Sequence, residues 1–358
     1  MNDPHHGRVC FSACQQPCPK SVFLTEGFLM RAMTYSRFGA ADEVLTLEQL
    51  TTPNPGKGEV LVRLSFSGVN PSDNRARAGG RPGVVAPPFP KIIPHSDGSG
   101  VIEAVGEDVD ASRVGERVWI WNGQWARAFG TAAEYICLPS EQATQLPDHI
   151  SFEEGAILGI PGLTATHSVL GGGPVQGKSL LISGGAGTVG RLAVQVAKAS
   201  GAYVLATARG DEAIKMVEAA GADQVFDYSD PNLAEQILEH TRGKLIDRIV
   251  EVEFGKNIET NAKIISECGV IAAFGSAKDM VPTIPFYPLM FKAVTIDLVL
   301  VYILQEAPRR QAITQLTDLL EAKALEFQIA KIFDLEDCAH AHNLVAAGGR
   351  AGSVLLKI

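Results

Sequence analysis

A run of glycines at residues 184–190, GGAGTVG, is the part of the sequence whose residue types and spacing most directly suggest chemistry. Its spacing is G-x-G-x-x-G. In such a turn the first glycine allows a tight bend, the second lets the backbone approach a pyrophosphate, and the third lets a helix pack against a strand. The helix that begins there adds backbone N–H groups and a partial positive charge. We therefore predict a dinucleotide-binding turn made of Gly185, Ala186, Gly187, Thr188, Val189 and Gly190.

The segment after the next predicted strand distinguishes between the two nicotinamide dinucleotides. Units that bind NAD usually place Asp or Glu about 20 residues after the glycines, where the carboxylate binds the ribose 2′-hydroxyl. Here Ala208 and Arg209 stand near that position, and a guanidinium without a neighbouring acid favours the 2′-phosphate of NADPH. The alternative is that Asp211 binds the ribose and Arg209 is merely exposed, although Asp211 also suits a helix cap. Tyr228 is predicted either to pack near the adenosine or to be an ordinary strand-end aromatic.

The elements that must position this turn alternate between strand and helix over residues 153–303. Apolar β-rich runs predict strands, and amphipathic runs between them predict helices. This order predicts right-handed crossovers and a doubly wound parallel Rossmann sheet, so the fold class is α/β. The predicted strands are 179–183, 203–208, 224–228, 246–252, 269–275 and 294–303. The predicted helices of this part are 189–200, 212–220 and 232–241, and the tail of the chain adds predicted helices at about 307–323 and 336–347.

The preceding part of the chain has a different sequence pattern. From Met30 to about Leu146, short β-rich pieces are cut by Pro and Gly, as in 59–69, 100–108 and 116–121, and this predicts a β-rich module. We divide the chain into three parts on this basis. They are a disordered extension at 1–29, a β-rich catalytic domain formed by 30–152 with 304–358, and a cofactor domain at 153–303.

Composition and charge exclude several functions. The 358 residues carry a net charge of −9 with no basic stripe, so nucleic acid is not a predicted main partner. The longest apolar stretch, 294–304, contains Asp297 and is shorter than the roughly 20 residues that span a bilayer, so no membrane span is predicted. Scattered cysteines suit a reducing compartment, and we expect a cytoplasmic protein. The spacing of Cys10, Cys14 and Cys18 allows a metal clamp as an alternative to a disordered extension.

Several longer motifs occur in a fixed order along the chain. They are MRAMTYSRFGAADEVLTLEQL (30–50), GEVLVRLSFSGVNPSD (58–73), IIPHSDGSGVIEAVGEDV (92–109), FGTAAEYICLP (129–139), LPDHISFEEGAILGIPGLTA (146–165) and GGAGTVGRLAVQVAKASGA (184–202). Together they resemble the medium-chain dehydrogenase/reductase superfamily, and most closely its zinc-free quinone oxidoreductase branch, the ζ-crystallin-like enzymes. The resemblance covers residues 30–358 and implies that the β-rich part is a GroES-like catalytic domain.

The resemblance also implies that no metal is bound. In the alcohol dehydrogenase branch a catalytic zinc is held by Cys, His and a second Cys or an acid. Alignment places Asn70 or its neighbour, Ser96 and Ile160 at those positions, and none of them can replace a zinc ligand. His95 lies one position before Ser96, where the family commonly has glycine, and is predicted to be structural.

The family's substrate cleft suggests the remaining site residues. Asn70 and Asp73 are expected to face the nicotinamide and the substrate, with a turn and a helix cap as the alternatives. Many relatives carry Tyr where this chain has Arg75, which makes a polar or anionic substrate more plausible. Trp121 and Trp125 are expected to stack on a flat acceptor, with a core position as the alternative. The nicotinamide end of the cofactor is expected to lie against Thr164, Phe274, Gly275 and Ser276.

Without a metal, hydride transfer requires an acceptor that is already electrophilic. We therefore expect an NADPH-dependent reductase of quinones or similar activated carbonyl compounds. The alternatives are a 2-enoyl-thioester or enone reductase, and an NADPH-binding structural or regulatory protein with little turnover. The apolar 294–303 segment would be an exposed sheet edge in a monomer, and the family joins two subunits at this edge, so a homodimer is expected.

Overall fold

The computed structural model describes residues 28–80 and 83–358 of the chain. Most of the predicted extension, including Cys10, Cys14 and Cys18, lies outside the described residues. The first strand begins at Leu29, next to the domain start predicted at Met30. The cysteines at 137, 268 and 338 are free.

The first part of the chain consists of short strands and helices. They are β1 (Leu29–Thr34), α1 (Ala41–Val44), β2 (Thr46–Thr51), β3 (Glu59–Val69), α2 (Pro71–Ala78), β4 (Asp97–Val105), β5 (Arg117–Ile120), β6 (Tyr135–Pro139) and β7 (Ala143–Gln145). β1 and β2 form an antiparallel pair. β3 is the long central strand, and it pairs antiparallel with both β4 and β6.

The middle part alternates strand and helix. Its elements are α3 (Phe152–Gly155), α4 (Leu163–Leu170), β8 (Ser179–Ile182), α5 (Thr188–Ala199), β9 (Tyr203–Ala208), α6 (Asp211–Ala219), β10 (Gln224–Asp227), α7 (Leu233–His240), β11 (Ile246–Glu251), α8 (Phe254–Ile264), β12 (Ile265–Ala273), α9 (Phe286–Met290) and β13 (Thr295–Leu298). The strands pair in parallel in the order β10-β9-β8-β11-β12-β13. Because the chain passes outward from β8 in both directions, the sheet is doubly wound, as predicted.

The last part returns to the β-rich sheet. Its elements are α10 (Glu306–Glu321), β14 (Ile329–Asp334), α11 (Cys338–Ala347) and β15 (Ser353–Lys357). β15 pairs antiparallel with β3, and β14 adds to β15 in parallel. The described mixed sheet therefore has the order β14-β15-β3-β4-β5-β7 with β6 beside β3.

One apolar cluster joins the two sheets. It includes Trp119 of β5, Leu158 in a π-helical turn at Leu158–Gly162, Leu192 of α5 and Leu316 of α10. Burial of such side chains stabilises by roughly 25 cal/mol per Å² of apolar surface, so the cluster fixes the β-rich part against the cofactor sheet.

The structure corrects the boundaries of one predicted strand. The segment predicted as a strand over 294–303 is a strand only from Thr295 to Leu298, and Val301–Ile303 forms a 3-10 turn. β13 nevertheless occupies the edge of the parallel sheet. No helix in the described part of the chain is both long and apolar enough to cross a membrane.

Candidate active site

The glycine turn between β8 and α5 has the geometry expected of a pyrophosphate cradle. Gly184 has a φ of 68°, which a residue with a side chain rarely adopts. A Cβ atom at Gly190 would lie 2.2 Å from the Gly184 carbonyl oxygen, so that position is closed to any side chain. At Gly187 a Cβ would meet only that oxygen, at 3.4 Å, and Gly187 is exposed. The turn therefore packs tightly inside and offers an open backbone face at the N-terminus of α5, where a pyrophosphate fits.

Arg209 and Tyr228 meet at the ends of β9 and β10. The Arg209 guanidinium lies 5.6 Å from the centre of the Tyr228 ring, and the Tyr228 amide donates to the Ala208 carbonyl at 3.2 Å. Asp211 is the first residue of α6, where a carboxylate favours the helix N-terminus. The predicted positive charge thus stands at the ends of β9 and β10, beside an aromatic face.

A buried carboxylate supports the glycine turn through a hydrogen-bond network. Sequence reasoning did not identify it. Glu251, at the end of β11, is fully buried and accepts hydrogen bonds from Asn257 Nδ2 at 2.9 Å and Asn261 Nδ2 at 2.8 Å. Asn257 Nδ2 also reaches Ser183 Oγ at 3.2 Å, immediately before the glycine turn. This network fixes the end of β8 against α8. Its partners lie in different elements, so no local sequence pattern reveals it.

Asn70 is placed at the start of α2 by a capping arrangement. Its backbone N–H donates to Asp73 Oδ2 at 2.8 Å, Pro71 follows at the first helical position, and Gly79 ends the helix with a φ of 76°. The predicted helix-cap role of Asp73 is therefore present in the structure. It leaves the Asn70 side chain directed toward β4.

The Asn70 side chain meets a second buried carboxylate that sequence reasoning missed. Asn70 Nδ2 donates to Asp97 Oδ2 at 2.7 Å. Asp97 is fully buried, and burial, followed by the charge of Asp73, raises the pKa of Asp97 well above its usual value. The amides of Asn70 and Ile160 oppose this shift. Asn70 and Ile160 thus both lie against this buried carboxyl group.

The two tryptophans predicted to line the acceptor site differ in burial. Trp121 is only 3% exposed and packs in the core, with the Arg309 guanidinium 4.7 Å from its ring centre. The ring of Trp125 stacks on Tyr302 at 4.7 Å between centroids and 23° between planes. The burial of Trp121 agrees with the core alternative, whereas Tyr302 occupies one face of the half-buried Trp125 ring. Arg75 is exposed on α2.

Tyr302 reaches the β-rich part from the segment after β13 and was not identified by sequence. It lies in the Val301–Ile303 turn after β13, is 6% exposed, and its phenol donates to Ser72 Oγ at 3.1 Å. Burial, followed by the charge of Asp73, raises the pKa of the Tyr302 phenol. The phenol thus remains protonated beside the Asn70–Asp97 pair.

The residues expected around the nicotinamide lie on elements next to the cradle. Thr164 is buried in α4, which packs on α5. Phe274, Gly275 and Ser276 follow β12, and Ser276 Oγ accepts from the Gly255 amide at 2.9 Å and donates to the Asp279 carbonyl. The Ser276 hydroxyl therefore holds its own loop.

The described residues contain one group of three side chains with metal-ligating atoms close together, formed by His95, Cys338 and His342. Hydrogen bonding accounts for the group without an ion. The Asp97 carbonyl can only accept, so Thr131 donates to it, and Ser67 must then donate to Thr131. His95 Nδ1 consequently donates to Ser67 at 2.9 Å, which leaves His95 Nε2 to accept from His342 Nε2 at 2.8 Å.

The backbone explains why His95 is unusual. Its φ is 77°, in the left-handed region that glycine favours. Such a conformation costs on the order of 1–3 kcal/mol and persists only where the surroundings enforce it. The hydrogen bonds to Ser67 and His342 supply that enforcement, and the prediction of a structural role agrees with this arrangement.

The fold and site have counterparts among known proteins. The family model described as zinc-binding dehydrogenase matches residues 188–321, and the alcohol dehydrogenase GroES-like domain matches residues 56–148. The chain is 30% identical over 334 residues to the quinone oxidoreductase of Homo sapiens, covering 92% of this chain and 98% of the relative. It is also 30% identical over 337 residues to the quinone oxidoreductase of Pseudomonas aeruginosa, covering 92% and 99%.

Solved structures give the same comparison in three dimensions. A quinone oxidoreductase of Pseudomonas syringae superposes with a TM-score of 0.80 at 28% identity, covering 92% of this chain and all of that one. A mycobacterial protein complexed with NADPH superposes with a TM-score of 0.79 at 26% identity, again covering 92% of this chain and all of that one.

Proposed function

This chain belongs to the zinc-independent quinone oxidoreductase branch of the medium-chain dehydrogenase/reductase superfamily, and from this premise we propose that it reduces quinones with NADPH. That it is an NAD(P)H-dependent oxidoreductase follows from its relatives. NADPH as the cofactor and quinones as the acceptors are the two parts of the proposal that go beyond these relatives.

The observation that carries the acceptor proposal is the set of residues around Asp97. Asn70, Ser96 and Ile160 offer an amide, a hydroxyl and an apolar side chain where the alcohol dehydrogenase branch uses zinc ligands. With these residues the site cannot hold a Lewis acid to polarise an alcohol or an unactivated ketone. The acceptor must therefore be electrophilic by itself, as quinones and similar activated carbonyl compounds are.

NADPH is supported by the positive charge at the adenosine end. Arg209 and the absence of an acid at Ala208 suit a 2′-phosphate, while the open backbone face at Gly187 suits the pyrophosphate. Thr164 and the 274–276 loop flank the place of the nicotinamide. When bound, the dihydronicotinamide supplies the hydride, and the contribution of the chain is to orient the acceptor and exclude water.

The domain division, the assembly and the location are further parts of the proposal. Residues 30–152 with 304–358 would form the catalytic domain and 153–303 the cofactor domain of a cytoplasmic homodimer. The edge position of β13 supports the dimer, because Leu298 on this strand is 74% exposed and Phe291 just before it is 78% exposed. Exposed apolar groups beside an open sheet edge are typical of a surface that pairs with a second chain.

The deciding experiment is NADPH oxidation by the purified chain against a panel of acceptors, with and without a chelator. We expect turnover with 1,4-benzoquinone that the chelator does not change. Preferential turnover of an enoyl thioester or a simple enone would mean that this compound class, rather than quinones, is the acceptor. NADPH binding without turnover of any acceptor would instead indicate a structural or regulatory role.

A further inference from the structure

Tyr302 is held at the cleft from two sides. Its carbonyl oxygen accepts hydrogen bonds from Asn122 Nδ2 at 3.0 Å and from Arg309 Nη2 at 3.1 Å. Its ring stacks on Trp125, and its phenol bonds to Ser72 at the start of α2. The residue belongs to the segment between β13 and α10, yet Asn122, Trp125 and Ser72 all belong to the β-rich part. A side chain clamped in this way is positioned, and it spans the two parts that enclose the acceptor.

Several polar groups beside Asn70 already bond within the protein, although the buried Asp97 Oδ1 has no hydrogen-bond partner in the described part of the chain. Asn70 Nδ2 donates to Asp97, and Asp73 and Asp97 are carboxyl groups that as anions would repel negative charge. Arg309 donates to the carbonyls of Tyr302 and Leu304. The Tyr302 phenol donates to Ser72 Oγ, and the Ser72 hydroxyl itself has no hydrogen-bond acceptor within the described ranges. Ser72 is half-buried, so its hydroxyl proton can face a molecule in the cleft.

We propose that Tyr302 is a positioning residue, whose phenol orients the Ser72 hydroxyl so that Ser72 donates a hydrogen bond to the carbonyl oxygen of the acceptor. The inference rests on the proposed function. Hydride addition to a quinone breaks the C4–H bond of NADPH, oxidises it to NADP+ and leaves a hydroquinone anion, which takes its second proton from solvent. The Ser72 hydroxyl stabilises the oxygen on which this negative charge develops, and Tyr302 keeps its own proton throughout.

The hydrogen bond between the Tyr302 and Ser72 hydroxyls determines where the Ser72 proton points. Because Ser72 Oγ accepts from the phenol, its own O–H must point elsewhere, and hydrogen bonds in series strengthen one another. Removing the phenol oxygen while keeping the ring leaves the stack on Trp125 and the two backbone bonds in place. Tyr302→Phe is therefore expected to disorient Ser72 without displacing the segment.

The test is a double-mutant cycle with Tyr302→Phe and Ser72→Ala, in which kcat/KM for 1,4-benzoquinone is measured at saturating NADPH. We expect Tyr302→Phe to lower kcat/KM about tenfold in the wild-type chain, mainly through kcat, and less than about twofold in the Ser72→Ala chain. The Kd of NADPH and the unfolding midpoint should stay unchanged. Tyr203→Phe, which removes a phenol from the surface of β9, is the matched control and should have wild-type kinetics.

Two results would overturn the inference. Equal losses in both backgrounds would mean that Tyr302 does not act through Ser72, and an unchanged kcat/KM in the single variant would mean that the phenol plays no part. Failure of the proposed function has a separate signature, because the wild-type chain itself would then show no quinone-dependent NADPH oxidation.

Discussion

The imidazoles of His95 and His342 face each other in the interior of the β-rich part, with their Nε2 atoms 2.8 Å apart. One proton lies between these nitrogens, and the chain through Ser67 and Thr131 assigns it to His342. A second proton on His95 would sit on its Nε2 and place two donors face to face, whereas a second proton on His342 would sit on its buried Nδ1, which has no hydrogen-bond partner in the described part of the chain. Burial lowers the pKa of His95 to about 3, and burial followed by the charge of His95 lowers the pKa of His342 well below its usual value.

Acid sensitivity follows from this pair. In the unfolded chain both imidazoles take up protons near pH 6.5, whereas the folded chain resists protonation until much lower pH, so stability decreases as the pH falls below about 6.5. His95→Asn tolerates the left-handed backbone and removes one titrating group. We expect urea unfolding between pH 6.5 and 4.5 to show a pH slope shallower than wild type by up to about 1.4 kcal/mol per pH unit.

The same variant should be less stable than wild type at pH 7.5, by about 1–3 kcal/mol, because buried partners lose their hydrogen bonds. His340→Asn removes an exposed imidazole from the same helix and serves as the control. A slope in His95→Asn that equals the wild-type slope would contradict the assignment of a neutral, buried pair.

Two substitutions in the glycine turn should separate the effect on folding stability from the effect on cofactor binding. Gly190→Ala places a Cβ against the Gly184 carbonyl, so we expect a loss of about 1–3 kcal/mol in the free energy of unfolding together with weak NADPH binding. Gly187→Ala adds a Cβ that meets only the Gly184 carbonyl oxygen, at an ordinary contact distance of 3.4 Å, but obstructs the pyrophosphate, so stability should stay within about 0.5 kcal/mol of wild type. Its Kd for NADPH should still rise about tenfold, measured by fluorescence titration. Equal effects of the two variants on stability would argue against the described cradle.

Cofactor preference tests the role of Arg209. Arg209→Ala removes the guanidinium that would bind the 2′-phosphate, and we expect the KM of NADPH to rise about 10- to 100-fold while the KM of NADH changes little. Lys215→Ala deletes one positive charge from the surface of α6 nearby and controls for net charge. The proposal of NADPH fails if Arg209→Ala binds NADPH as tightly as wild type.

The edge of the parallel sheet predicts the assembly. Leu298→Asp places a carboxylate on the exposed end of β13, and we expect it to convert a dimer into a monomer in light scattering after size exclusion. Val114→Asp changes an exposed valine in the β-rich part in the same way and should leave the mass unchanged. A wild-type chain that runs as a monomer at micromolar concentration would remove the basis of the dimer proposal.

Local patterns in the sequence were sufficient for much of the cofactor sheet. The strand Tyr203–Ala208 and the start of the cradle follow from short apolar runs and glycine spacing, and both agree with the structure. The strand Ile329–Asp334 was not predicted, because its alternation is weak and it is held by pairing with β15 rather than by its own pattern.

The polar interior of the site depended on contacts between distant residues. Asn70 and Asp97 are 27 positions apart, and Tyr302 lies 230 positions after Ser72, so neither pairing has a local signature. Trp125 was expected to bind an acceptor because its aromatic character could be read from the sequence. Its stacking on Tyr302 could not be read from the sequence, because only the topology brings the segment after β13 against the Trp125 ring.

The left-handed backbone at His95 also constrains how this chain can diverge. Position 95 accepts glycine at no conformational cost, whereas the imidazole is tolerated only while Ser67 on β3 and His342 on α11 remain to bind it. We therefore expect substitutions at these three positions to be coupled. We expect a lineage that loses either partner to return to glycine at position 95, and histidines to be found at 95 and 342 together.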